Sequence, residues 1–258
     1  MPNETALWAA TLGMTVGDAW LRRHEAKSPE AVARFHAAAE RLAKGAPFAY
    51  AVGRVPFRTL DLAIDARALI PRPETEGLVE LVLAKCSTGG RVADIGTGSG
   101  CIALSLAVEG RFDKVVAVEQ SPAAAALARE NVLRVAPATP VEIRIGNLLD
   151  PLVDEGQRYR VIVSNPPYLT AAEHEALDPS VRDFEPRDAL VSGADGLDAT
   201  RALFAGAKSL LEPGGLLALE IDEGRADAIR TLAREYGWLV EIHADLFGCP
   251  RYALAREG

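Results

Sequence analysis

Apolar and polar positions fall into two regimes along the chain. From Arg91 onward, short strand-like segments alternate with longer stretches whose apolar residues recur at helical spacing. The runs at 91–95, 114–118, 141–145, 160–164, 188–191 and 215–221 read as strands, with closing strands near Leu239 and Tyr252. Helices are expected from Ser99, Ser121 and Leu197 and through Ala228. Strand and helix in regular alternation predict an α/β fold, a doubly wound, mostly parallel sheet with helices on both faces.

Before Arg91 the pattern differs. Residues 5–44 are Ala-rich, with Val32, Phe35 and Leu42 at helical spacings and Ser28-Pro29 as a helix start, so 1–45 is expected to be a small helical domain. Gly45-Ala46-Pro47 breaks that pattern. The runs 49–52 and 60–65 then read as two short strands of a β-hairpin linker spanning 46–72. Pro71 and Pro73 forbid regular structure, and a helix to about Lys85 follows, its buried stripe formed by Leu78, Val79, Leu81 and Val82. Spacing alone makes Arg72, Glu74 and Glu76 a solvated turn with a helix-capping acid. The remaining 73–258 would form the α/β domain.

Two turns in that domain carry candidate chemistry. The apolar run ending at Ser164 stops at Asn165-Pro166-Pro167-Tyr168. Asn165 offers a carbonyl and an NH2, Pro166 a backbone carbonyl stiffened by Pro167, and Tyr168 a flat ring: a clamp for a planar group bearing N–H bonds. The second turn, Asp94-Ile95-Gly96-Thr97-Gly98-Ser99-Gly100, lies between the first strand and its helix, where glycines let a ligand approach the backbone and a carboxylate or phosphate can sit on the helix N-terminus. Glu119 ends the next strand, 119 − 96 = 23 positions after Gly96, about where an acid accepts from ribose hydroxyls. The glycine turn alone leaves a nicotinamide cofactor and S-adenosylmethionine equally open, and the amide clamp favours the second. Parallel strands would put both turns on one rim.

Composition narrows the class further. At 258 residues with 49% hydrophobic content, the chain can bury a sizeable core. Its net charge of −8, with no basic run longer than Arg22-Arg23, argues against a nucleic-acid partner. Met1-Pro2-Asn3-Glu4-Thr5 has no basic flank leading into an apolar core, and no eighteen apolar residues run together, so no membrane partner and a cytoplasmic location are expected. Cys86, Cys101 and Cys249 are odd in number and widely spaced, as expected of reduced thiols in a core; they and the scattered His24, His36, His174 and His243 suggest no metal site.

These residues resemble the HemK/PrmC family, bacterial protein-(glutamine) N-methyltransferases that modify peptide chain release factors. The likeness spans nearly the whole chain, through Gly45 to Tyr50 with Gly53, Ile70 to Glu76, Asp94 to Ala107, Asn131, Ser164 to Tyr168, Glu185-Pro186 with Ala189-Leu190, Asp195-Gly196-Leu197, Pro213-Gly214-Gly215, and Asp245 with Gly248 and Arg251. The Asn-Pro-Pro-Tyr tetrad is shared with adenine-amino and other amide or amine methyltransferases, whereas Ile-Pro-Arg-Pro-Glu-Thr-Glu is more specific, separating the release-factor enzymes from the related ribosomal-protein glutamine methyltransferases.

The resemblance implies a class I S-adenosylmethionine-dependent methyltransferase with a seven-stranded sheet. It implies that Asp94, Ile95, Gly96, Thr97 and Gly98 carry the methionine and ribose part of the donor. Glu119 would take the ribose hydroxyls, and Asn147 and Leu148 the adenine edge, with Asn165 also contacting the donor. Asn165, Pro166, Pro167 and Tyr168 would hold the substrate glutamine of a release factor's Gly-Gly-Gln loop, with Asn165, Pro166 and Tyr168 as the catalytic set. The helical domain would help bind the release factor, and a monomer is expected. Three positions depart from the family: Glu119 where Asp is usual, Asn147 where an acid is common, and Arg225 where Gln is usual. The competing reading is an adenine-amino methyltransferase acting on RNA or DNA, which the acidic charge disfavours. A cofactor-sensing module with a degenerate site is a further alternative, at odds with two intact turns.

Overall fold

Two helices of the N-terminal half begin where a short polar side chain closes the first turn. Thr15 accepts from the Asp18 N–H and Ser28 from the Ala31 N–H. The computed structural model describes residues 4–258, so Met1 to Asn3 and what the sequence suggests of them lie outside the described residues. Helices α1 (Glu4–Leu12), α2 (Val16–Leu21) and α3 (Pro29–Ala43) occupy the region expected to be helical. They lead through Pro47 into a single-turn α4 (Phe48–Val52).

The reading of 49–52 as a strand is therefore wrong. Pro47 precedes the turn and Gly53, at φ 75°, closes it left-handed, so the apolar run Ala49-Tyr50-Ala51-Val52 buries Tyr50 and Ala51 from a helix. The hairpin is instead β1 (Arg54–Phe57) with β2 (Leu60–Ala63), antiparallel. At its corner Arg58 adopts φ 50°, donates its backbone N–H to Glu76 Oε1 at 2.8 Å and pairs its guanidinium with Glu109 and Glu80. The corner is thereby fixed to α5 (Pro73–Lys85).

The second half contains β3 (Arg91–Ile95), α6 (Cys101–Glu109), β4 (Lys114–Glu119), α7 (Pro122–Val135), β5 (Val141–Ile145) and β6 (Tyr159–Ser164). The short α8 (Ala171–Glu175) and α9 (Pro179–Arg182) follow, then α10 (Asp198–Leu210), β7 (Leu211–Glu220), α11 (Ala226–Glu235), β8 (Trp238–Ala244) and β9 (Pro250–Glu257). Seven strands form one sheet in the order β5-β4-β3-β6-β7-β9-β8, parallel except for β9, which runs antiparallel to both β7 and β8. This is the doubly wound α/β sheet that the alternation predicts.

Residues 188–191 do not join it. Pro186 leads into a 3-10 turn at Arg187–Ala189, and Val191 makes only an isolated parallel bridge to Leu169. The run is apolar because it packs on the rim rather than in the ladder.

Alternate residues of the central strands feed two cores. Val92, Val115, Val161, Val163 and Leu216 face α5, α6 and the hairpin, whereas Ala93, Ile95, Val116, Val118, Ile162 and Leu217 face α10 and α11. Burial on both faces is why these strands read as continuous apolar runs rather than as an alternation. Cys86 and Cys101 are buried, but Cys249 lies half-buried in the β8–β9 connection and not in the core; all three are unbridged.

Candidate active site

The chain winds β3 to β4 to β5 toward one edge and then returns to place β6 on the other side of β3. The crevice at the carboxyl ends of β3 and β6 is the switch point of the sheet, the place where open α/β folds bind ligands. Ile95 lies opposite Ser164 in register, and the Ser164 hydroxyl donates to the Ile95 carbonyl at 2.7 Å. The glycine turn and the Asn165 turn therefore leave the sheet side by side.

Four turns line this rim in strand order: Asn147-Leu148 after β5, Glu119 at the end of β4, Gly96 to Gly100 after β3, and Asn165 to Tyr168 after β6. With strands about 4.8 Å apart, the rim from β5 to β6 is about 14 Å long. Glu119 binds this row together. Its carboxylate accepts the Gly98 N–H at 2.8 Å and the Ser121 N–H at 2.9 Å, and its backbone carbonyl accepts from Gly146, just before Asn147. Asn147 is exposed, and Leu148 holds a left-handed φ of 44°, uncommon for a branched residue.

The glycine turn is built around Asp94, which is fully buried. Asp94 Oδ2 accepts the Thr97 hydroxyl at 2.5 Å and the Ala103 N–H at 3.0 Å, so the start of α6 carries an acid of this chain where an external carboxylate or phosphate was expected. Its other oxygen, Oδ1, is buried without a partner. Burial, only partly opposed by Thr97 and Ala103, pushes the Asp94 pKa up to about 7. Ile95 and Thr97 are buried as well; Ile95 packs its side chain into the core and gives its carbonyl to Ser164, while Thr97 braces Asp94. Gly96 is different. At φ 71° it has no atom within 4 Å of where a Cβ would stand, so that side of the turn is open.

On the β6 side, Pro166 is buried while Asn165, Pro167 and Tyr168 are half-buried. The turn is held against residues 190–192, with the Leu169 N–H donating to Leu190 and the Ser192 N–H to Leu169. Burial, with the nearby Glu220 charge, pushes the Tyr168 phenol up to about 12. Arg72 and its neighbours are not a solvated turn. Arg72 pairs at 2.6 Å with Glu185, whose side chain is 1% exposed, and Glu185 also accepts the Ile70 N–H. The stretch 70–76 and Glu185 thus form one wall beside the Asn165 turn.

The sequence reading assigned no role to two residues that meet Asn165. Asn165 Nδ2 donates to Thr75 Oγ1 at 3.2 Å, and the Thr75 hydroxyl donates to Glu220 Oε2 at 2.7 Å. Thr75 and Glu220 are each 2% exposed. Position 220 lies 145 residues from position 75, and only the β6–β7 register, which puts Ser164 opposite Leu219 and hence Asn165 next to Glu220, reveals the contact. Arg225 sits farther out, donating to the Asp195 carbonyl and pairing with Glu173 and Asp222, where it ties the loops behind Tyr168.

Among the described residues no three His, Cys, Asp or Glu converge as metal ligands, and no helix is long and apolar enough to cross a membrane.

Comparison with known proteins agrees with this geometry. Residues 74–180 match the family model of the methyltransferase small domain. A methyltransferase structure from Pyrococcus furiosus superposes with a TM-score of 0.58 at 21% identity, covering 88% of this chain and 98% of that one, which shows the shared fold. The release factor glutamine methyltransferase of Deinococcus radiodurans is 40% identical over 92% of this chain and 84% of its own length. That of Geobacter sulfurreducens is 41% identical over 86% of this chain and 77% of its own length, and on this likeness the chain belongs to the release factor glutamine methyltransferase family.

Proposed function

We propose that this chain transfers a methyl group from S-adenosylmethionine to the side-chain amide nitrogen of a glutamine in a peptide chain release factor, leaving S-adenosylhomocysteine. The observation that carries the reading is the adjacency of the two turns: an amide clamp at Asn165 to Tyr168 leaves the sheet one strand away from a glycine turn with an open face at Gly96.

The rim fits the donor. The unpartnered, buried Asp94 Oδ1 suits a cationic ligand, whose charge would favour the ionised carboxylate that burial disfavours. Gly96, Thr97 and Gly98 would hold the ligand against the open side of the turn. Each Glu119 oxygen retains acceptor capacity beyond its one backbone N–H, enough for ribose hydroxyls. Asn147 and Leu148 would flank the base. When bound, S-adenosylmethionine supplies an electrophilic methyl on a sulfonium.

The remaining work falls to the clamp. An amide nitrogen is a poor nucleophile because its lone pair is delocalised, so it must be oriented and its developing positive charge stabilised. Asn165 Oδ1 and the Pro166 carbonyl accept the two N–H bonds of the substrate amide. Both are fixed dipoles in a largely water-excluded turn, where they act more strongly than water and need little reorganisation. Tyr168 packs on the flat amide and stays neutral at working pH. One N–H proton leaves to water as the new N–C bond forms. The geometry contributes through alignment, for which well-oriented reactants gain about 7–11 kcal/mol in favourable cases.

The helical segment before the hairpin would contact the release factor, with the division 1–45, 46–72 and 73–258 as the working domain boundaries. The enzyme is proposed to act as a monomer in the cytoplasm, without direct nucleic-acid or membrane contact. The test is incubation with labelled S-adenosylmethionine, purified release factor, RNA and DNA, followed by mass mapping of the modified residue. Label on a release-factor glutamine is expected, and label on nucleic acid alone would overturn the proposal. Asn165→Ala should abolish transfer while calorimetry still records donor binding; an unchanged rate would remove Asn165 from the mechanism.

A further inference from the structure

We infer that Thr75 and Glu220 are positioning residues that fix which way the Asn165 side-chain amide faces, and that the carboxylate form of Glu220 is what fixes it. This rests on the reading of Asn165 as the amide clamp.

The argument is one of donors and acceptors. Glu220 ends β7, Asn165 follows β6 at the adjacent register position, and Thr75 reaches across both from the first turn of α5. A threonine hydroxyl has one hydrogen to give. An ionised Glu220 has none, so the 2.7 Å contact consumes the Thr75 hydrogen and leaves Thr75 Oγ1 as an acceptor. The group facing it at 3.2 Å must then be the Asn165 NH2, which turns Asn165 Oδ1 the other way, available to a substrate N–H. Protonating Glu220 removes this constraint. The carboxylic acid can donate to Thr75, the Thr75 hydrogen becomes available to Asn165 Oδ1, and both orientations of the amide satisfy the same three groups. In the flipped orientation an NH2 meets the substrate NH2, donor against donor.

The setting makes that protonation relevant near neutrality. Burial pushes Glu220 up to about 7 against the pull of Thr75. The charged and titratable groups around it are Arg72 and Glu74 at the start of α5, Arg251 and Tyr252 on β9, Tyr168 beyond β6, and Cys101 at the start of α6. Arg251 and Arg72 favour the carboxylate and Glu74 opposes it.

The test compares wild type with Thr75→Val, Thr75→Ser and Glu220→Gln. It reads single-turnover methyl transfer to the release factor across the neutral range, donor affinity by calorimetry, and the side-chain NH2 signals of Asn165 by NMR, assigned by their loss in Asn165→Ala. Thr75→Val should slow transfer about 100-fold, the scale of a misplaced reacting group, with donor affinity within about twofold, and Thr75→Ser should restore it. With donor saturating, so that the Asp94 carboxylate is held ionised by it, wild-type transfer should fall with acid through about pH 7, and that limb should vanish in Glu220→Gln. The Asn165 NH2 signals should titrate with the same midpoint in wild type and not in Glu220→Gln. Because Thr75→Val strands a buried carboxylate, Thr75→Val/Glu220→Leu serves as the folded alternative and should be equally slow. Wild-type transfer in either Val variant, or an acid limb that survives Glu220→Gln, would overturn the inference. The NMR titration needs no substrate, so an absent titration refutes the relay, whereas absent label on glutamine refutes the function proposed above.

Discussion

Asn131 offers the sharpest test of how the hairpin and the glycine turn are held together. It is fully buried on α7 and its amide is completely used: Oδ1 accepts the Ala63 N–H at 2.7 Å, and Nδ2 donates to the Ala63 carbonyl at 3.0 Å and the Ser99 carbonyl at 2.9 Å. One side chain thus joins the last residue of β2 to the turn before α6. Asn131→Ala removes three bonds and strands one backbone donor and two acceptors. At about 1 kcal/mol net per bond, with some further cost for groups left buried and unpaired, the loss should be about 3–4 kcal/mol. For a chain of this length that corresponds to about 10 °C in melting temperature. Asn131→Asp discriminates the mechanism. It preserves shape and the bond from Ala63 N–H but sets a carboxylate oxygen against two carbonyl oxygens, so at pH 8 it should lose at least as much as the alanine variant. Urea denaturation gives both values, and calorimetry should show weakened donor binding because Ser99 is in the glycine turn. A near-wild-type Asn131→Asp, or an alanine variant that loses under about 1 kcal/mol, would show that these three contacts do not hold the two parts together.

Gly96→Ala should cost about 1–2 kcal/mol in stability, the strain of an L residue at φ 71°, because nothing in the chain opposes the new methyl; donor affinity should fall by more than tenfold, since the methyl enters the open side of the turn proposed to hold the donor. Equal losses in both measurements would place the ligand elsewhere. The ligand-free protein should also be more stable at pH 6 than at pH 8. Asp94 and Glu220 carry folded-state pKa values raised to about 7 from 3.8 and 4.5, so each binds a proton more tightly when folded, and their destabilising effect grows as pH rises from the ordinary carboxylate range to about 7 and is constant above it. Glu142, held at about 2 by Arg144 and Lys114, contributes the opposite slope only in acid well below pH 6. Scanning calorimetry of wild type and Asp94→Asn checks this, and a variant that keeps the full pH 6 to pH 8 difference would acquit Asp94.

What could be read from sequence follows from which forces are local. The central strands of the sheet were legible because burial on both faces demands unbroken apolar runs, and the two turns on the rim were legible because Gly96 and the Pro166-Pro167 pair mark where β3 and β6 end. The run at 49–52 misled because a single helical turn needs only Pro47 before it and Gly53 after it, and its apolar residues have too little length to show a period. The run at 188–191 misled because rim packing wants the same residues as a ladder. Arg72 looked solvated because its partner, Glu185, is 113 residues away. Thr75 and Glu220 were silent for the same reason: a hydroxyl in a helix's first turn and an acid at a strand end are ordinary separately, and only the sheet register brings them to Asn165.

The placement of β9 between β7 and β8 governs how the molecule can be made. β8 touches the sheet through β9 alone, although β9 is translated after it. On the ribosome, Trp238–Ala244 must therefore wait as an orphan edge until the polypeptide as far as Glu257 has cleared the exit tunnel, and only then can the late strand slot in and seal the open flank. A nascent chain stalled in the β8–β9 connection should therefore present a sticky, unpaired margin for chaperones to shield.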